Sequence, residues 1–154
     1  MIFWTENNPH LYKHITKKEV RNMQTFNAAV EKHKQLILDT ERFVWKHAET
    51  GYKEFETSAY MAKTFRDLGY DLVMADGITG FYTVVDTGKP GPEILILGEL
   101  DSIICPAHPE SNPVTGAVHS CGHNAQCAVM VLVLPLECTQ LSQGGHNIKA
   151  SGGW

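Results

Sequence analysis

The chain has 154 residues, 43% of them hydrophobic and 19% charged, which is enough for one globular domain with its own core and too little for two. The 17 acidic and 13 basic side chains give a net charge of −4, and no basic run is dense enough to follow a phosphate backbone, so we expect no nucleic-acid partner. The apolar stretch 129–134 is too short to cross a bilayer, and the first residues lack the features of a secretory signal. We therefore expect a cytoplasmic protein without membrane contact.

Two helices are predicted ahead of the first strand. The Thr-Lys-Lys-Glu run at 16–19 fits a capping box, and apolar residues then recur at three- and four-residue steps as far as about His47. The run 49–52 interrupts this pattern, and a second helix is predicted from about Glu56 to Leu68. The apolar stripe of each helix is expected to face a core.

Strands are predicted at 70–75, 81–86 and 93–98. The segment between the first two contains glycines and favours a hairpin. The third strand is a continuous apolar run, typical of a central strand that is covered on both faces. These elements predict an α/β fold in which two N-terminal helices precede a mixed sheet with helices.

The second half of the chain is predicted to be less regular. A long loop runs from 102 to 117, and a helix of small and aliphatic residues follows from 125 to about 134, where Pro135 is expected to end it. Residues 139–154 show no period that could bury a face. We therefore predict one domain over 1–138 and a disordered tail over 139–154.

Cys121 and His123 are the first candidate metal ligands. Only Gly122 separates them, which lets a tight loop turn both side chains toward one point, and thiolate and imidazole suit zinc. They stand just before the predicted helix, where the helix dipole favours an anionic ligand such as a thiolate. The four cysteines form no C-x-x-C pair and are interpreted as buried thiols or one metal ligand rather than as disulfides: Cys105, Cys121, Cys127 and Cys138.

Polar residues that flank the predicted third strand add to this candidate site. Asp101 follows the end of the strand, where open α/β sheets place ligands and catalytic groups, and its carboxylate can orient a metal-bound histidine. Alone, it would equally suit a turn aspartate that bonds to its own backbone. Glu99 can contact metal or only solvate the strand end, and His119 can be a further polar group of the site or a simple loop residue.

The sequence resembles a known family. The run 98–102 (Gly-Glu-Leu-Asp-Ser), followed by 119–124 (His-Ser-Cys-Gly-His-Asn), is similar to the zinc-dependent amidohydrolases and metallopeptidases that include aminobenzoyl-glutamate hydrolase, hippurate hydrolase and aminoacylase. The segment 47–59 looks like the connection between the first two helices of that family, and 68–70 like the end of its second helix. The resemblance covers about Val20 to Val133.

This resemblance implies the N-terminal part of a zinc-peptidase-like catalytic domain that cleaves amide bonds in N-acyl or aminobenzoyl amino acids or in small peptides. It implies that Cys121 and His123 bind one or two divalent metal ions, zinc or else manganese or cobalt, and that Asp101 is the candidate catalytic residue, which supports the site. It also implies a small-molecule amide substrate and a homodimer of the full-length protein.

The family pattern also includes a downstream Glu-Glu pair, which supplies the base, a lid domain and a late histidine ligand. After His123 the only carboxylate side chain is that of Glu137, so the expected pair is absent. A truncated or frameshifted fragment would explain this economically. The alternative function is therefore an inactive remnant that at most binds a metal ion.

Two further alternatives stay open at the level of the sequence. Cys121 can be a nucleophile activated by His119 or His123, although such pairs usually come from separate segments. The site can also be purely structural, with His108 and Asp101 as the nearest candidates for its further ligands.

Overall fold

The computed structural model describes residues 17–86, 93–140 and 147–152. Three helices and six strands lie in these ranges: α1 (Lys17–Lys46), α2 (Phe55–Asp67), β1 (Val73–Met74), β2 (Phe81–Val85), β3 (Glu93–Gly98), β4 (Ile103–Ile104), β5 (Ala117–Val118), α3 (His123–Gln140) and β6 (Asn147–Gly152). The predicted α/β fold, with two helices ahead of a mixed sheet, is confirmed. The predicted capping box and the turn at 87–92 fall partly or wholly outside the described residues.

The main sheet is mixed and has the strand order β1-β2-β6-β3. β2 runs antiparallel to β1 and to β6, whereas β3 runs parallel to β6, and β4 and β5 form a separate antiparallel pair. Within the described residues β3 pairs only with β6, so it is an edge strand. The prediction of a central position for 93–98 is therefore wrong.

Among the described residues, nothing covers one face of this sheet. The register places Tyr82 and Val84 of β2 level with Leu97 and Leu95 of β3 across β6, so these four residues project from the same face. Leu95 and Leu97 are 60% and 55% exposed, and Tyr82 and Val84 are also exposed. The other face of the sheet packs against α3. The apolar run in β3 suggested cover on both faces, but in the structure it has cover on one.

The region after residue 134 is more regular than predicted. α3 continues through Pro135 to Gln140, although an interior proline loses one backbone hydrogen bond and costs about 3 kcal/mol. The core contacts of α3, in which Val131 is fully buried, help to offset that cost. β6 lies between β2 and β3, so the structure describes a strand within the segment 139–154 for which the sequence predicts disorder. Backbone pairing with two neighbours orders this strand without a side-chain period.

The core lies among the three helices and the covered face of the sheet. Its buried hydrophobic residues share one contiguous cluster: Val44, Met61, Ala62, Phe65, Phe81, Leu100, Cys127, Met130 and Val131. At the end of β3 the packing is so close that a Cβ on Gly98 would collide with Sδ of Met130. Gly98 therefore lets α3 approach the end of β3, where the candidate site begins. Within the described residues, no helix combines the length and the apolar composition that a bilayer crossing requires.

Candidate metal centre

Three potential metal ligands converge where β3 ends and α3 begins. Glu99 and Asp101 follow β3, and His123 is the first residue of α3. One ligand atom from each side chain lies within 4.8 Å of the other two. The packing of α3 against β3 therefore brings together residues that are 22 to 24 positions apart in the sequence.

Hydrogen bonds fix the orientation of the His123 ring. Its Nδ1 lies 2.9 Å from the backbone oxygen of Asp101 and 3.0 Å from Oδ1 of the same residue. Both oxygens are acceptors, so Nδ1 carries a proton and donates it. In the neutral ring the lone pair then belongs to Nε2, which lies 2.9 Å from Oε2 of Glu99. Two electron-rich atoms this close attract each other only through a proton or a metal cation between them.

Gln126 holds Glu99 in this position and was not identified from the sequence. Its Oε1 accepts the backbone N–H of Glu99 at 3.1 Å, and its Nε2 donates to Oε2 of Glu99 at 3.3 Å. Gln126 lies three residues after His123, and residues at that spacing share a face of a helix. The helical spacing was the available signal.

Cys121 stands apart from the three converging side chains. It is exposed and does not belong to the group formed by Glu99, Asp101 and His123. Gly122, with φ of 93°, turns the chain between Cys121 and His123 in a conformation that favours glycine. The structure thus brings one of the two predicted ligands into the group and leaves the second beside it.

The histidines also bear on the alternatives to a catalytic metal site. Among the described residues no hydrogen bond joins the thiol of Cys121 to His119 or His123, which disfavours the cysteine nucleophile. His108 does not join the metal-ligand group, because its Nδ1 accepts from the backbone N–H of Glu110 and its ring lies edge-on to Trp45. Among the described residues, no group of potential ligands supports a structural site that includes His108.

His119 is a buried neighbour of this centre. Its side chain is 1% exposed, and neither ring nitrogen has a protein hydrogen-bond partner within the described part of the chain. Burial, and to a smaller extent His123, lower the pKa of His119 to about 4, while Asp101 and Glu49 oppose the shift. The ring is therefore neutral at pH 7 and can offer a lone pair.

The connection between α1 and α2 is fastened to the same end of β3. The backbone oxygen of Glu49 accepts hydrogen bonds from the backbone N–H and the hydroxyl of Ser102, at 2.8 and 2.7 Å. The carboxylate of Glu49 accepts the backbone N–H groups of Glu56 and Thr57 and so caps the first turn of α2. This segment is therefore a fixed wall of the site.

The donor set fits a divalent metal ion. Zinc accepts a carboxylate oxygen and an imidazole nitrogen as ligands. The exposed thiol of Cys121, two residues before His123 in the sequence, is the candidate for a third ligand. Neither ring nitrogen of the buried His119 has a partner among the described residues, so this ring is a further potential metal ligand next to the centre. The contact from Asp101 to Nδ1 of His123 is the outer interaction by which metal-binding histidines are commonly oriented.

Comparison with known proteins shows which proteins the chain is similar to. No family model matches the chain. It is 26% identical over 99 residues to thermostable carboxypeptidase 1 of Saccharolobus solfataricus, covering 62% of this chain and 25% of that protein. It is 28% identical over 103 residues to one of the subunits of p-aminobenzoyl-glutamate hydrolase from Escherichia coli, covering 62% of this chain and 21% of that protein.

A solved structure shows the same fold. The YXEP protein of Bacillus subtilis, described as a dinuclear metal-binding peptidase of the M20 family, superposes with a TM-score of 0.65 at 19% identity, covering 79% of this chain and 35% of YXEP. The curated relatives include amidohydrolases and carboxypeptidases, and this structural neighbour is described as an M20-family peptidase, which confirms the resemblance noted in the sequence. The chain spans about a quarter of the length of the curated relatives that it matches.

Proposed function

We propose that this chain is a metal-dependent hydrolase that cleaves amide bonds in N-acyl or aminobenzoyl amino acids or in small peptides. One observation carries the proposal: Nε2 of His123 faces Oε2 of Glu99 at 2.9 Å, while Nδ1 is held by Asp101. The names of relatives that act on aminobenzoyl-glutamate, hippurate and N-acetyl-cysteine support this substrate class.

In this proposal each residue has a distinct task. Cys121 and His123 hold the metal, which is zinc or else manganese or cobalt, as one or two ions. Asp101 fixes the ring of His123 so that Nε2 faces the metal position. Glu99 supplies negative charge on the side of that position away from His123. The bound metal would polarise the amide carbonyl and make a nearby water more acidic.

A second candidate is an inactive remnant that at most binds a metal ion. The observation that favours it is the small donor set: three potential ligand side chains group together within the described residues. A catalytic zinc site needs three protein ligands and an open position, and amide hydrolysis needs a base as well. A cytoplasmic location and a homodimer of the full-length protein belong to the first proposal and rest on the sequence and on the resemblance.

Hydrolysis assays separate the two candidates. With zinc, manganese or cobalt, the chain is expected to cleave p-aminobenzoyl-glutamate or an N-acyl amino acid, because water then adds across a polarised amide bond. Chelation should abolish product formation, and adding the metal back should restore it, with metal-only reactions as the control. Turnover by metal-free protein would contradict metal dependence, and no turnover with any of the three metals would favour the remnant.

Alkylation tests the place of Cys121 in the metal site without requiring activity. Iodoacetamide is expected to label exposed Cys121, and zinc should slow this labelling, because a coordinated thiolate is not free to react. Cys105, which is half-buried, serves as the internal control that zinc leaves unchanged. Cys127 should stay unlabelled, since burial raises its pKa to about 12. Peptide mass spectrometry reads all three thiols, and a Cys121 rate that saturating zinc does not change would remove this residue from the ligand set.

A further inference from the structure

Tyr52 occupies a backbone conformation that tyrosine rarely adopts. Among the residues that the structure describes, it is the only one other than glycine with a positive φ, at 62°. It lies in a tight turn that the hydrogen bond from the N–H of Lys53 to the oxygen of Thr50 closes at 3.0 Å. Glycine is the usual residue where a turn needs this conformation, so a bulky side chain here is strained.

Several contacts with the surrounding structure hold Tyr52 in this conformation. The N–H of Tyr52 donates to Oε1 of Glu54 at 2.8 Å, and the hydroxyl of Thr79 donates to the other carboxylate oxygen. Glu54 is fully buried, and the turn is also anchored by Ser102 through the backbone of Glu49. Strain of this kind persists only where the surrounding structure holds it, and it gathers at ligand-binding positions.

The turn lies directly against the metal centre. An ideal Cβ on Gly51, the neighbour of Tyr52, would lie 3.8 Å from Oδ2 of Asp101, the carboxylate that orients His123. The side chain of Tyr52 is nevertheless 65% exposed, and that of Phe55, three residues later, is 67% exposed. Two exposed aromatic side chains therefore lie in or directly after the turn that contacts the metal centre.

We infer that Tyr52 is a specificity-determining residue that contacts the apolar, preferably aromatic, acyl group of the amide substrate. The inference rests on the proposed function. An exposed aromatic ring offers a flat surface for another ring, and such pairs prefer offset-stacked or edge-to-face geometry. The fixed turn restricts the backbone from which the ring projects, which lowers part of the entropic cost of binding.

Equilibrium binding tests this inference. Ligand-observed NMR titrations of the metal-free full chain, in which neither amide is hydrolysed, compare N-benzoylglycine with N-acetylglycine. We expect the wild type to bind the benzoyl compound more tightly by roughly 2- to 10-fold, Tyr52→Gly to lose that preference, and Tyr52→Phe to keep it. Tyr82→Ala, which removes an exposed tyrosine from the sheet, is the matched control and should keep the preference.

Thermal unfolding gives a second readout. Tyr52→Gly is expected to have a Tm equal to or higher than that of the wild type, because glycine adopts a positive φ without strain. No benzoyl preference in the wild type, an undiminished preference in Tyr52→Gly, or an equal loss in Tyr82→Ala would overturn the inference. A failure of the proposed function is seen separately, as the absence of metal-dependent hydrolysis of either amide.

Discussion

Replacing His123 with alanine is expected to weaken zinc binding by more than about 100-fold. Loss of the outer partner of a metal-binding histidine alone typically costs roughly 10- to 100-fold in affinity, and this substitution removes the ligand itself. In the structure, His123 is the only side chain that contacts both Glu99 and Asp101 within the described ranges 17–86, 93–140 and 147–152. Without it, the two carboxylates repel each other and the imidazole nitrogen between them is lost.

Competition with a chromophoric chelator measures this loss. Asp101→Asn should be intermediate, because it weakens the acceptor at Nδ1 of His123 but keeps the backbone oxygen of residue 101 in place. His108→Ala is the matched control, since its half-buried ring lies outside the ligand group, and its zinc affinity should equal that of the wild type. Equal losses at His108 and His123, or no loss at His123, would refute the proposed centre.

Replacing Glu54 with alanine is expected to lower the free energy of unfolding by about 3 kcal/mol. The fully buried carboxylate accepts the N–H of Tyr52 and the hydroxyl of Thr79, and its removal leaves both donors without a partner. A hydrogen bond to a charged group contributes roughly 1.5–3 kcal/mol, and the partial burial of these two bonds places each toward the lower end of that range. Because Tyr52 is strained, the loss of its N–H acceptor also releases the turn beside Asp101.

Denaturant unfolding gives the free energies for this comparison. Glu54→Gln keeps the shape and one acceptor oxygen, so it should lose about half as much as the alanine variant. The control, Glu110→Ala, removes an exposed carboxylate in a loop and should change the free energy by less than about 0.5 kcal/mol. Similar values for the two alanine variants would show that the buried carboxylate does not hold the turn.

The helices and the third strand could be predicted because their residues carry local signals. Apolar spacing defined α1 and α2 to within a few residues, and the apolar run at 93–98 defined β3. The position of β3 at the edge could not be predicted, because apolar composition does not reveal how many neighbours a strand has. β6 was missed because its order comes from pairing with β2 and β3, and its own residues show no period.

The candidate site was predicted in outline. The end of a strand and the start of a helix indicated Asp101 and His123, and the structure places them together. The sequence alone did not distinguish a Glu99 that contacts metal from one that is only solvated, because the hydrogen bonds by which Gln126 holds Glu99 are visible only in the structure. Glu54 and Gly51 gave no signal, because their roles depend on contacts with Thr79 and Asp101, which are distant in the sequence.

The uncovered face of the sheet sets the conditions under which the isolated chain can be handled. Leu95 and Leu97 lie on a strand whose outer edge has no partner in the described part of the molecule, and Tyr82 and Val84 extend the apolar area across the sheet. An open edge with apolar side chains is a template for pairing with another chain, so self-association competes with the monomer as concentration rises. We therefore expect the self-association of the isolated chain to depend on β2 and β3, whose exposed surface is separate from the metal centre.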